Sequence, residues 1–298
     1  MLNRGSRSVS DFGWSRAFLG LLAVLAVTAC APQGSTIGQN ELSDTPTHGR
    51  FIWHDLLTDD VEAAETFYGD LLGWQFEKTT RPGGGPYTLI LTASGQVVGG
   101  MLEVDDPGNG QDFSRWLGYY AVPDVDAATD SVVRSGGEVI LAPREIGDVA
   151  RASAVLDPDG AVVGLLTSRA GYPVERPVRA TGEVAWNELV AAEPEAMAAL
   201  YSSLVSGAVT EEARGEFTYR FLESDGRPRA GVIARPNEGL KPLWLTYFAV
   251  EDVQAVSARA ISLGGQRLLA PDREFRDGRV AFVSDPGGAV LGLLEQER

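Results

Sequence analysis

The sequence is short of the side chains that usually build metal and redox sites. Among its 298 residues there is one cysteine, Cys30, and there are two histidines, His48 and His54. One cysteine excludes an intrachain disulfide framework and any multi-cysteine zinc or iron–sulfur site. Two histidines leave little imidazole for metal chemistry. Lysine is almost absent, Lys78 and Lys241 being the two copies, and the formal net charge is −16. That balance opposes non-specific nucleic-acid binding, which needs a basic face, so no nucleic-acid partner is expected. What is present is ordinary for a folded chain: 44% hydrophobic residues and a length suited to two domains.

The amino terminus reads as an address. Arg4, Arg7 and Arg16 form a basic leader, and an apolar run follows from Ala17 to Val27. The run is short for a bilayer span and has the length of a signal peptide. It ends in Val27-Thr28-Ala29-Cys30, which resembles a bacterial lipobox, with the sole cysteine at the position that becomes the lipidated first residue. The expectation is a lipoprotein signal peptide over 1–29, lipidation at Cys30, a polar tether over 30–49, and export to the cell envelope with membrane attachment through the lipid. An acidic surface does not itself favour anionic lipids, so the acyl chains must do the anchoring. A plain secretory signal with a chance cysteine is the alternative.

The rest of the chain is a repeat. Trp116-Leu117-Gly118-Tyr119-Tyr120-Ala121-Val122 matches Trp244-Leu245-Thr246-Tyr247-Phe248-Ala249-Val250 at an offset of 128. The same offset carries Asp157-Pro158-Asp159-Gly160 onto Asp285-Pro286-Gly287-Gly288. Near the start the offset is 133, carrying Trp53-His54-Asp55-Leu56 onto Trp186-Asn187-Glu188-Leu189. Two homologous domains follow, over 50–170 and 181–298, with a linker at 171–180 that contains Pro173 and Pro177.

Each domain has an internal rhythm. Phe51–Thr58 alternates as a strand does, and Val61, Ala64, Phe67, Tyr68 and Leu71 recur at helical spacing until Gly73. Strand-like runs follow at 74–78, 87–91 and 97–104, the first two joined across Gly83-Gly84-Gly85-Pro86. The order restarts with a strand at 116–122, a helix at 125–134, and strands at 139–143, 150–156 and 161–166. The pattern is an α+β fold of four βαβββ units in two tandem domains. With Asp60-Val61-Glu62-Ala63-Ala64-Glu65-Thr66-Phe67-Tyr68 and the two Asp-Pro turns, it resembles the vicinal oxygen chelate superfamily of glyoxalases, bleomycin-resistance proteins and extradiol dioxygenases. The resemblance covers both domains. It implies that each pair of units curves into a glyoxalase-like cup that holds the site.

The resemblance also locates where metal-dependent members hold a divalent ion with His, Gln and Glu. The first ligand position falls on Trp53 and Trp186, the second near Leu117 and Leu245, and the last on Gly164 and Gly292. Indole, alkyl and hydrogen are not ligands, so no metal and no other cofactor is expected, and the usual glyoxalase and dioxygenase activities go with the metal. Both copies depart in the same way.

Strand alternation puts Trp53, Asp55 and Leu57 on one face and Trp186, Glu188 and Val190 on another. Each cup then carries one tryptophan and one carboxylate, with Tyr119 or Tyr247 on the neighbouring strand. Trp53, Asp55, Tyr119, Trp186, Glu188 and Tyr247 are the candidate ligand-binding residues for a flat or cationic small molecule. Asp55, Glu188 and His54 are the candidate catalytic groups. His54 is set by alternation on the face opposite Trp53, toward the helix, and its repeat partner Asn187 is no base. Arg151 and Arg279 recur in the repeat, either pairing with the cup carboxylates or lying solvated on their strands. Three functions remain open: a binding protein for a small organic ligand, a metal-free lyase- or hydroxylase-type enzyme using the cup carboxylates, and an interaction scaffold with filled cups. The two domains are expected to pack together as a pseudo-dimer.

Overall fold

The computed structural model describes residues 41–82, 84–105, 114–176, 179–215, 217–273 and 276–296. The signal peptide, Cys30 and the tether up to residue 40 lie outside the described residues, as does Gly83 of the glycine-rich loop. Among the described residues no helix is long and apolar enough to cross a membrane.

The first domain follows a two-residue strand, β1 (Leu42–Ser43). Its first βαβββ unit is β2 (Phe51–Thr58), α1 (Val61–Leu72), β3 (Gln75–Thr80), β4 (Pro86–Leu91) and β5 (Val97–Glu103). Its second is β6 (Arg115–Ala121), α2 (Val125–Arg134), β7 (Glu138–Ile146), β8 (Ala150–Leu156) and β9 (Val162–Ser168). A short strand, β10 (Tyr172–Pro173), precedes the second domain. That domain runs β11 (Val184–Ala191), α3 (Pro194–Ser203), β12 (Ala208–Arg214), β13 (Phe217–Ser224), β14 (Arg227–Ala234), β15 (Leu243–Val250), α4 (Val253–Ser262), β16 (Gln266–Leu269), β17 (Val280–Ser284) and β18 (Val290–Glu295).

Two eight-stranded sheets result, ordered β3-β4-β5-β2-β6-β9-β8-β7 and β12-β13-β14-β11-β15-β18-β17-β16. In each, the first strands of two units lie side by side at the centre, antiparallel. Each also pairs in parallel with the last strand of its own unit. This is the tandem βαβββ cup architecture, an α+β fold. The local signals behave as their chemistry requires. Asp60 caps α1 by accepting from the Ala63 amide at 2.9 Å, and Gly73 ends it in the left-handed region at φ 71. The strand β7 runs through Pro143 to Ile146, beyond the expected end at 143; it is an edge strand with register shifts, where a missing amide donor is tolerated. Strand β3 begins one residue late because Trp74 turns into the core and its indole donates to the Gly182 carbonyl.

The strand β1, from the expected tether, pairs with β10, from the expected linker. His48 is half-buried there, its ring edge-on to Tyr172 at 5.9 Å.

The helices and sheet backs form cores that cross between domains. Phe67, Tyr68 and Leu71 of α1 pack with Phe248, Val253, Ala281 and Leu291 of the second domain. Val125 and Val132 of α2 pack with Met197, Leu200 and Tyr201 of α3. The first unit thus shares a core with the fourth, and the second with the third. The concave faces hold two further clusters, one inside each sheet.

Candidate functional site

The central strands carry one acid into each cup. In the first cup Asp55, on β2, is completely buried. Its Oδ1 accepts from the Tyr87 hydroxyl at 2.6 Å and the Trp53 indole at 2.9 Å, and its Oδ2 accepts from the Tyr119 hydroxyl at 2.9 Å. Trp53 and both tyrosines are themselves buried. The second cup repeats the arrangement around Glu188 on β11. Tyr219 donates to Oε2 and Tyr247 to Oε1, each at 2.7 Å, and the Trp186 indole donates to the Tyr219 hydroxyl at 2.9 Å. Arg276 adds an ion pair to Glu188, its guanidinium lying 5.3 Å from the Tyr219 ring centre and 5.5 Å from that of Tyr247.

The structure therefore gathers Trp53, Asp55 and Tyr119 in one cup and Trp186, Glu188 and Tyr247 in the other. It adds Tyr87, Tyr219 and Arg276, which sequence reasoning did not single out. Tyr87 and Tyr219 were detectable, since they recur at an offset of 132. Arg276 had no such signal, lying on a short turn outside the repeat's matching segments.

Glycines make room for these tyrosines. A Cβ on Gly100 would come within 1.7 Å of the Tyr87 hydroxyl oxygen, and one on Gly231 within 1.9 Å of the Tyr219 hydroxyl oxygen. On Gly164 it would meet the Tyr119 ring at 2.2 Å, and on Gly292 the Tyr247 ring at 2.4 Å. Four glycines and four tyrosines thus close two cups, each around one carboxylate.

Burial dominates the electrostatics. It pushes the Asp55 carboxyl up to about 6, against the pull of its three donors. Burial, and then the Asp55 charge, push the Tyr87 and Tyr119 hydroxyls well above their usual value. Both remain protonated donors at any ordinary pH.

His54 is not in the cup. Its Nε2 donates to Asn187 Oδ1 at 2.9 Å across the seam between domains, so the two equivalent repeat positions touch each other. Its neighbour is the other domain, where alternation alone had pointed to the helix. Burial lowers its pKa to about 4, which keeps the ring neutral. Arg151 and Arg279 do not reach the cup acids. Arg151 pairs with Asp126 and Glu145 on the exposed edge, and Arg279 donates to the Glu295 carbonyl.

A model of the Glyoxalase/Bleomycin resistance protein/Dioxygenase superfamily matches residues 50–165. "Putative glyoxylase CFP32" of Mycobacterium tuberculosis (strain CDC 1551 / Oshkosh) is 36% identical over 246 residues, covering 82% of this chain and 93% of that protein. The chain belongs to the glyoxalase/bleomycin resistance protein/dioxygenase superfamily. "Anthracycline biosynthesis protein DnrV" of Streptomyces peucetius is 32% identical over 260 residues, covering 83% of this chain and 93% of that protein. Among solved structures, the Mn(II)-bound glyoxalase of Novosphingobium aromaticivorans superposes with a TM-score of 0.55 at 16% identity, over 83% of this chain and 82% of that one. At that identity the likeness is one of fold.

The divalent ion of metal-dependent superfamily members does not fit these cups. The expected ligand positions hold Trp53, Leu117 and Gly164, and Trp186, Leu245 and Gly292. A glutamate cannot enter at Gly164 or Gly292 without displacing the tyrosine ring packed on it. Each cup offers one carboxylate, whose oxygens are occupied by O–H and N–H groups directing hydrogens where a cation would need lone pairs. Among the described residues no group of three or more His, Cys, Asp or Glu side chains gathers to hold an ion.

Proposed function

We propose that this chain is a non-catalytic superfamily member, anchored to the bacterial envelope through lipidated Cys30, in which both cups serve as sealed structural cores. One observation carries the reading: the single acid of each cup is 0% exposed and its acceptor oxygens are taken by the protein's own donors. A group that reacts with substrate needs a path to it and a free lone pair or proton. Asp55 and Glu188 are shut off from solvent, each is held by three donors, and they act as acceptors that orient four tyrosines. The protein then works as a binding body presented from the membrane, with its contacts made outside the cups.

Two experiments test this. The full chain is equilibrated in turn with manganese, zinc, nickel and iron(II), dialysed, and analysed for metal beside Asp55→Asn and Glu188→Gln. No stoichiometric ion is expected; one ion per chain, lost in either variant, contradicts the sealed cup. Cys30→Ser should move the protein from the membrane to the soluble envelope fraction, whereas unchanged membrane retention contradicts the anchor.

A metal-free acid–base enzyme is the second reading, favoured by the raised pKa of Asp55. It requires the cup to open and predicts turnover that is abolished by Asp55→Asn.

A further inference from the structure

A cleft of about 480 Å³ lies on the seam between the two domains; neither cup acid lines it, and Trp186 of the second cup stands in its wall. That volume is in the range of small-molecule sites. Its walls come from the ends of β2 and β11, from β5 and β14, and from the segment after β10. His54 and Asn187 sit in its wall, as do Val97, Val98, Pro173 and Pro228.

Its charge is opposite to that of the molecule. In a chain of net charge −16 the lining carries Arg50, Arg176, Arg179 and Arg229 against three glutamates. Arg176 is matched by Glu183 at 2.6 Å. The others are not matched one to one. Glu175 is shared among Arg229 at 2.5 Å, Arg50 at 3.6 Å and the outlying Arg227 at 3.0 Å. Arg229 also lies 3.7 Å from Asp225, an exposed rim residue. Arg179, half-buried in the lining, has no ion pair among the described residues. The side chains of Arg50 and Arg229 are only 10% and 4% exposed, so water screens them poorly. Burial, with Arg179 and Arg229 nearby, lowers the Arg50 pKa to about 10 against the pull of Glu175.

We propose that this cleft binds a small organic anion, its acidic group held by Arg50, Arg179 and Arg229 and its apolar body against Val97, Val98, Pro173 and Pro228. Guanidinium groups suit this task because their planar donors match an oxyanion in pairs. Glu175, on the segment joining the domains, occupies part of the same cation cluster and competes with the ligand. The site straddles the seam, so the ligand bridges the two domains.

The probes are 1-anilinonaphthalene-8-sulfonate and N-phenyl-1-naphthylamine, which share an aromatic body and differ in the anionic group. Fluorescence titration of the full chain should give one saturable site for the sulfonate and none for the neutral amine. Arg50→Gln and Arg229→Gln should each weaken sulfonate binding at least tenfold. Arg179→Gln should weaken it several-fold without moving the melting temperature, because it breaks no ion pair. Glu175→Gln should tighten binding, the opposite of what damage to the fold would do. Thermal melts establish that each variant is folded. If Arg50→Gln or Arg229→Gln fails to fold, Arg179→Gln and Glu175→Gln decide. The proposal is overturned by absence of a saturable sulfonate site, by equal binding of the neutral amine, or by unchanged sulfonate affinity in the folded arginine variants.

Discussion

Asp55 is ionised at neutral pH inside a closed cup, and its linkage to folding can be worked out. Its pKa rises from 3.8 to about 6 on folding. The fold therefore favours the protonated form, and the contribution is complete below pH 3.8 and lost as pH rises through 6. Asp157 and Asp285 are buried and raised to about 6 in the same sense. His54 opposes them: lowered from 6.5 to about 4, its contribution is present above 6.5 and lost as pH falls through 4. His48, only partly buried, is lowered in the same sense as His54; three acids outweigh the two imidazoles, so denaturant titrations should show greater stability at pH 5 than at pH 7. Asp55→Asn should remove about 1 kcal/mol of that gain; an unchanged difference would mean that Asp55 has its ordinary pKa. The glycines give a second residue-scale prediction. Gly164→Ala should cost about 3 kcal/mol through overpacking against Tyr119. In a Tyr119→Ala background the same change should cost less by at least ~1 kcal/mol, measured as a double-mutant cycle. Additive costs would show that the ring is not what the glycine accommodates.

At the scale of elements, much of the architecture was legible because its signals are local. The apolar stripe Ala64, Phe67, Tyr68, Leu71 is the buried face of α1, and Asp60, Asp124 and Asp252 each cap a helix by accepting the amide three residues on. Alternation placed Trp53 with Asp55 and Trp186 with Glu188. It could not show where the opposite face of β2 points, because that depends on how the two sheets meet. It could not show that the cups are closed either, because closure depends on tyrosines brought from β4 and β13 over glycines in β5 and β14. Those pairs sit on neighbouring strands, and which glycine faces which tyrosine is recognisable only in register. The fourth cap is weak. Glu193 precedes α3 with no side-chain cap bond, whereas the other three helices have one. Glu193→Ser should therefore stabilise the protein by roughly 0.5–1 kcal/mol, read as an upward shift of the melting temperature; no gain would indicate that the Asp159 carboxylate, which accepts from the amides of Ala192 and Glu193 at 2.7 and 2.8 Å, already does the capping.

The whole molecule is bound by exchanged contacts. Tyr68 of the first domain donates to Asp285 of the second at 3.0 Å, and Tyr201 of the second donates to Asp157 of the first at 2.9 Å. The Trp116 and Trp244 indoles donate to those same tyrosine hydroxyls at 3.0 and 2.9 Å. The recurring Asp-Pro turns thus tie each domain to the other as well as closing their own loops, where Ala161 and Ala289 donate to the same aspartates. With two of the larger apolar clusters shared, calorimetry of the full chain should show one cooperative transition whose van't Hoff and calorimetric enthalpies agree; two resolved transitions would mean that the shared cores contribute little. The central claim, that the cups are sealed around a structural acid, is tested most directly by following the Asp55 side-chain carboxyl by 13C NMR while Mn(II) is added and the pH is varied. A sealed cup predicts a titration midpoint near 6 and no paramagnetic broadening at stoichiometric Mn(II). Broadening at substoichiometric Mn(II), with a midpoint near the ordinary aspartate value, would contradict the account and return the cups to the metal-dependent members of the superfamily.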